Sequence, residues 1–194
     1  RKEMEIMRDL DIRRKVSFVD GPLSRDFMRY LLNACDIYAA PSRIEGFGMI
    51  QVEAMACGKP VLSIDAMGMK DTIIHGETGF LAKVGEEVRL EEEWAYTWMG
   101  FGQKKKVKFD KPKTFAYKAD IDHLAEYLFK LLSDDSLREK MGAKARKHAA
   151  NNFDYLKTSK DIHDLIEKKL GFANGKEKAT VSVQEKLGEK IRAK

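Results

Sequence analysis

The run from Asp36 to Ile64 limits the fold more than any other part of this sequence. Asp36-Ile37-Tyr38-Ala39-Ala40 is short, apolar and β-tolerant, and Pro41 ends it. Gly46 and Gly48 then let the backbone turn sharply and come close to a ligand. Met49 to Cys57 has helical spacing, with Ile50, Ala54 and Cys57 expected on one face. Gly58 stops that helix, and Lys59-Pro60 leads into the strand Val61-Leu62-Ser63-Ile64.

Upstream, Glu3 to Leu10 reads as a helix and Val16 to Val19 as a strand that ends at Asp20-Gly21-Pro22. Ser24 caps a helix, Arg25 to Ala34, with Phe27, Met28, Leu31 and Leu32 facing inward. The order β-α-β-α-β predicts a parallel, doubly wound α/β sheet. Ligands bind such sheets beyond the carboxyl ends of the strands. Three loops converge there: Asp20 to Leu23, Ser42 to Gly48, and Asp65 to Asp71.

The first amides of the helix after Gly48 have no internal acceptor, and the helix dipole adds partial positive charge. That end suits a phosphate. Glu45 and Glu53 bracket it with seven residues between them, and a carboxylate accepts paired hydrogen bonds from polyol hydroxyls. Taken from the residues alone, a tight turn and a solvated helix glutamate explain the pattern about as well.

The full motif, Pro-Ser-x-x-Glu-Gly-Phe-Gly-x-x-x-x-Glu-Ala-Met-Ala-x-Gly-x-Pro-Val over residues 41–61, resembles the signature of the family 4 retaining glycosyltransferases. The likeness runs from about Val16 to Leu81 and resumes weakly from Asp120 to Tyr155. Such enzymes have the GT-B architecture, two Rossmann-like domains facing across a cleft, and this chain resembles the C-terminal, nucleotide-sugar-binding domain. The resemblance implies transfer of a sugar from a nucleotide diphosphate sugar to an acceptor with retention, without a metal or other cofactor. It gives Glu45 the donor sugar's hydroxyls, as the catalytic residue, and Glu53 the ribose. Backbone groups of Gly46, Phe47, Gly48 and Met49 would meet sugar or phosphate, and Ser42 would assist or cap the loop. Gly21 and Leu23 would lie near the base, with a plain turn an equal reading for Gly21. The donor phosphate would take the acceptor's proton, so no protein base is assigned.

The sequence departs from the family in places. Two earlier strands, bearing a Gly-Arg and a Lys that grip the diphosphate, have no counterpart before Val16. Their place is between the strands at Val16 and Ile37, so a larger protein with an N-terminal domain is expected to supply them. Arg43, Lys59 and Lys70 are not assigned those cationic roles. Met67-Gly68 stands where the family has Gly-Gly; Gly68 is expected at a close turn and Asp71 as a helix cap. His75-Gly76-Glu77-Thr78-Gly79-Phe80-Leu81 matches a family turn into an edge strand, with His75 structural.

Residues 85–118 leave the pattern altogether and exceed an ordinary loop. They hold Trp94, Tyr96, Trp98, Phe101, Phe109, Phe115 and Tyr117 beside Lys104-Lys105-Lys106. Glu91 to Met99 reads as a short helix, and Val107–Phe109 and Thr114–Tyr117 as strands pairing around Lys111-Pro112. The insert is a candidate contact for an oligomer or a membrane surface, and a self-packed flap is the plainer reading. No stacking motif supports nucleic acid. Helices follow from Asp120, with Ile121, Leu124, Tyr127, Leu128 and Leu131 inward, from Ser136 and from Tyr155 to Leu170.

The expected organisation is one Rossmann-like domain over residues 1–170, with the insert 85–118, and a polar tail over 171–194. The net charge of +5 is mild and dispersed, which suits an anionic sugar nucleotide or a peripheral membrane surface equally well, unlike a dense nucleic-acid interface. Cys35 and Cys57 read as buried thiols, and the four histidines lack ligand spacing. No apolar run reaches ~18 residues, so a cytoplasmic protein, peripheral at most to a membrane, is expected. Two competing readings stay open: a GT-B nucleotide-sugar epimerase, and a non-catalytic nucleotide-sugar-binding or scaffolding module.

Overall fold

The computed structural model describes residues 2–19, 21–96 and 102–170. Asp20, Trp98, Phe101 and the tail 171–194 lie outside the described residues. The elements are α1 (Lys2–Asp9), α2 (Arg25–Ala34), β1 (Tyr38–Ala39), α3 (Met49–Ala56), β2 (Val61–Ile64), α4 (Met69–Thr72), β3 (Gly79–Ala82), β4 (Val84–Ala95), β5 (Lys105–Ala119), α5 (Ile121–Ser133), α6 (Asp135–Asn152) and α7 (Tyr155–Leu170).

Strands β1, β2 and β3 form a parallel sheet in that order, pairing Tyr38 with Val61 and Leu62 with Phe80. All four residues of β2 and of β3 are buried, as expected for parallel strands covered on both faces. One apolar cluster joins Val61 and Ile64 to Ala54 and Met55 of α3 and to Ala145 and Ala149 of α6. A second joins Leu62 and Phe80 to Leu131 of α5 and Met141 of α6. Each fully buried leucine, isoleucine or methionine among them contributes about 1.5–3 kcal/mol. Helices α2, α5 and α6 begin where side chains satisfy free amides: Ser24 accepts from Phe27, Asp120 from His123 and Asp134 from Leu137.

Backbone contact, not side-chain volume, sets the α3–α6 spacing. A Cβ on Gly142 of α6 would lie 2.1 Å from the Gly58 carbonyl oxygen. Gly58 turns the chain out of α3 with φ 73, a conformation that costs a side chain.

Several sequence expectations are corrected. Val16–Val19 is not a strand: no ladder partner stands beside it among the described residues, and Phe18 remains 67 % exposed. The strand expected over 36–40 shrinks to Tyr38–Ala39, which among the described residues has β2 as its one neighbour. On α2, Phe27 and Leu31 are exposed; Met28 and Leu32 carry the packing. On α3 the buried face is Gln51, Ala54 and Met55, whereas Ile50 is exposed and Cys57 half-buried. Cys35 is likewise half-buried, and burial pushes its thiol up, against a smaller lowering by Lys59. Ile121 sits on the outer side of α5.

The insert is a long antiparallel hairpin, β4 with β5, and Glu91–Ala95 is strand rather than helix. Lys111-Pro112 is not its turn. Leu90 pairs with Lys113 and Glu92 with Lys108, so residues 109–112 bulge opposite Glu91. Glu86 with Lys118 and Glu92 with Lys106 form cross-strand ion pairs that hold the ribbon. His75 is structural: its Nδ1 accepts from the Leu81 amide at 3.1 Å and its ring meets Phe80 and Tyr127 edge-on.

Candidate functional site

The loop from Pro41 to Gly48 leaves the carboxyl end of β1 and delivers the chain to α3. Gly48 is the N-cap, with φ 83, and no side chain caps this helix. The amides of Met49 and Ile50 therefore have no intrahelical acceptor. Glu45 folds back over this end: its Oε1 accepts from the amides of Gly46 at 3.1 Å and Gly48 at 3.2 Å. The carboxylate thus stands where an anion would be held, leaving only the next two amides of the helix start open.

Two clefts flank α3. One, of about 220 Å³, is lined by Tyr38, Ser42, Glu45, Gly48, Met49, Ile50 and Gln51. The other, of about 530 Å³, lies between α2 and α3 and includes Leu23, Arg25, Arg29, Glu53 and Cys57. The first therefore gathers Ser42, Glu45, Gly48 and Met49 from the sequence candidates, and the second Leu23 with Glu53. Gly21, Gly46 and Phe47 line neither. Gly21 is an exposed turn with φ 93. The Phe47 ring turns toward Phe153, edge-on at 5.8 Å, and ties the loop to the end of α6.

Tyr38, at the amino end of β1, lines the first cleft. Burial, then Glu45, then Glu53 and Cys35 push its phenol up from its ordinary value. The loop Asp65–Asp71 is held against the loop Ser42–Gly48 by Gly68. A Cβ there would lie 2.0 Å from the Gly46 carbonyl oxygen, so the close turn expected at Gly68 is a backbone-on-backbone contact. Met67 adopts φ 51, the left-handed conformation that a glycine would take without strain. Asp71 does not cap α4, which has Gly68 at its N-cap and no side-chain cap hydrogen bond.

Sequence reasoning passed over Tyr38, Arg25, Arg29 and Gln51. The arginines are four apart on α2, which was signal enough to put them on one side of the helix. Gln51 gave none, because a glutamine in a helix is ordinarily solvated. Here its Nε2 donates to Ser63 Oγ at 3.3 Å, and Ser63 donates to the Ala40 carbonyl at 2.7 Å. Its buried Oε1 has no partner among the described residues and lies 2.1 Å from where a Gly48 side chain would be. Among the described residues, His163, Asp164 and Glu167 of α7 bring ligand atoms within 4.8 Å of one another, the first two exposed and Glu167 half-buried, and they line neither cleft. No described helix is long and apolar enough to cross a membrane.

Residues 2–96 match the family described as "Glycosyl transferases group 1". The capsular polysaccharide biosynthesis glycosyltransferase CapM of Staphylococcus aureus is 28% identical over 138 residues, 71% of this chain and 26% of CapM. Sucrose-phosphate synthase from Thermosynechococcus elongatus superposes with a TM-score of 0.63 at 20% identity, covering 89% of this chain and 34% of that one. Anabaena HepE, solved with UDP, gives 0.61 at 24% identity, covering 86% of this chain and 36% of HepE. The chain spans about a quarter of the length of CapM.

Proposed function

From a chain that carries a glycosyl transferases group 1 domain and the Rossmann-like half of a GT-B fold, we propose that these clefts bind a nucleotide diphosphate sugar for transfer to an acceptor with retention of configuration. The reading rests on one observation: Glu45 and Glu53, with seven residues between them, line clefts on the two flanks of α3, Glu45 beside the helix start. Glu53 holds the ribose hydroxyls beside Leu23. The amides of Met49 and Ile50 and the dipole of α3 stabilise the diphosphate as charge develops on it, without a metal. Glu45 gives up the Gly46 and Gly48 amides to that diphosphate and turns its carboxylate to the sugar hydroxyls. Further domains of a larger protein supply the acceptor site and the cations that close on the phosphates.

Glu53→Ala in the complete enzyme tests this. Losing a charged acceptor of hydroxyl hydrogen bonds costs about 1.5–3 kcal/mol, or about 10- to 150-fold in donor Kd by calorimetry. Unchanged donor affinity and turnover would refute the assignment. Retention is read separately from the anomeric configuration of the product by NMR, and an inverted product would sink that part alone.

A further inference from the structure

The hairpin β4–β5 takes no part in the clefts, yet its distal end is built for contact. No acid occurs between Glu93 and Asp110, whereas Lys104, Lys105, Lys106 and Lys108 do. Trp94 pairs with Lys106 and Glu92 with Lys108. Side chains alternate across a strand, so Glu92 and Trp94 share one face with Lys106 and Lys108. Lys104 completes that face, lying 4.7 Å from the Trp94 ring centre and 5.2 Å from that of Tyr96, with Lys106 5.5 Å from Trp94. Trp94 keeps 43% of its surface exposed and Tyr96 37%. Glu92, paired with Lys106, is the face's one counter-charge. Nearer the domain the ribbon is charge-balanced, through Glu86 with Lys118 and Glu87 with Arg89.

We propose that this face of the distal hairpin docks on an anionic lipid surface. Indole and phenol rings settle at the headgroup level of a bilayer, apolar body inward and polar edge outward. Lysine stems lie along them while the ammonium groups meet lipid phosphates. Every cation of β5 is a lysine, whereas nucleic-acid sites favour the arginine fork. Lys104 and Lys106 already lie over Trp94, the surface a stacking base would need. A lone two-stranded ribbon is marginal in water, and docking gives it a support.

The chain's two tryptophans, Trp94 and Trp98, both belong to this segment, so intrinsic emission reports on it alone. The full chain is mixed with phosphatidylcholine vesicles, with and without phosphatidylglycerol, and followed by emission and co-sedimentation. Emission moves to shorter wavelength and protein sediments with the anionic vesicles, and salt reverses both. Each lysine near such a surface is worth about five-fold in partition. K104Q/K106Q/K108Q therefore lowers binding on the order of 100-fold, with unchanged far-UV circular dichroism. Lys104→Glu, outside the paired register, gives a second variant if the triple change disturbs the ribbon. Absence of the shift with anionic vesicles, equal binding to neutral ones, or full binding by the folded variants overturns the proposal. So does an emission change on single-stranded DNA that vesicles fail to produce, which would make the face a nucleic-acid platform.

Discussion

Gly68→Ala tests whether backbone contact between two loops builds the site. Gly68 has φ −61 and ψ −11, which alanine adopts freely, so conformation alone predicts a small gain in stability of about 0.4–1 kcal/mol. The surroundings predict the opposite. The added Cβ would lie 2.0 Å from the Gly46 oxygen, 2.7 Å from its carbonyl carbon and 2.8 Å from Phe47 Cα, all backbone atoms. Restoring ordinary contact near 3.4 Å from 2.0 Å moves one loop by about 1.4 Å. Overpacking of this kind costs about 1–3 kcal/mol and outweighs the conformational gain at all but its lower limit. At about 2–4 °C per kcal/mol for a chain of this size, the unfolding midpoint falls by up to about 10 °C. The displaced loop carries Glu45 and the Gly48 amide, and a 1 Å misplacement can cost about 100-fold in rate. Calorimetric unfolding and kcat/KM in the complete enzyme read the two effects. Gly46→Ala is the control, because nothing lies within 4 Å of its Cβ. A Gly68→Ala protein with wild-type midpoint and turnover would refute the reasoning.

Gly142→Ala sets helix propensity, a gain of about 1 kcal/mol, against a Cβ placed 2.1 Å from the Gly58 oxygen. The contact wins, and denaturant unfolding finds the variant less stable; a more stable protein would mean that α6 slides freely on α3. Asp120 caps α5, and the His123 amide, then Lys83, hold its carboxyl below the usual range. A lowered carboxyl stabilises the fold above its unfolded pKa of about 3.9 and loses that contribution as pH falls through the lower folded value. Asp120→Asn therefore lowers the unfolding midpoint at neutral pH, and the gap from wild type closes below about pH 4. A gap that stays constant into acid would show that the charge is irrelevant.

Where structure depends on near neighbours in the chain, the sequence was readable. Ser24 and Asp120 marked helix starts that the coordinates share, and Val61–Ile64 and Tyr155–Leu170 have the bounds read from the residues. Reading failed where the deciding partner is distant. Val16–Val19 has strand composition but no ladder. The glutamate-rich run around Glu91–Glu93 favours helix locally, yet Lys105–Lys108 opposite it make it strand. On α3, hydrophobicity put Ile50 inside, whereas the chain from Gln51 through Ser63 to Ala40 buries the glutamine. At the site, the motif supplied Glu45 and Glu53, but not that Glu45 spends its carboxylate on the loop's own amides, a question of rotamer that spacing does not settle.

The root of the ribbon adds a mechanical fact. The Tyr117 amide of β5 donates to the carbonyl of Arg43 at 2.9 Å, so the hairpin is pinned to the segment that positions Glu45. Linkage makes such a pin reciprocal. If anchorage of the far tip tightens that bond, occupation of the loop must tighten anchorage by the same factor, and a catalyst assayed free of its surface would be measured with its lever unloaded.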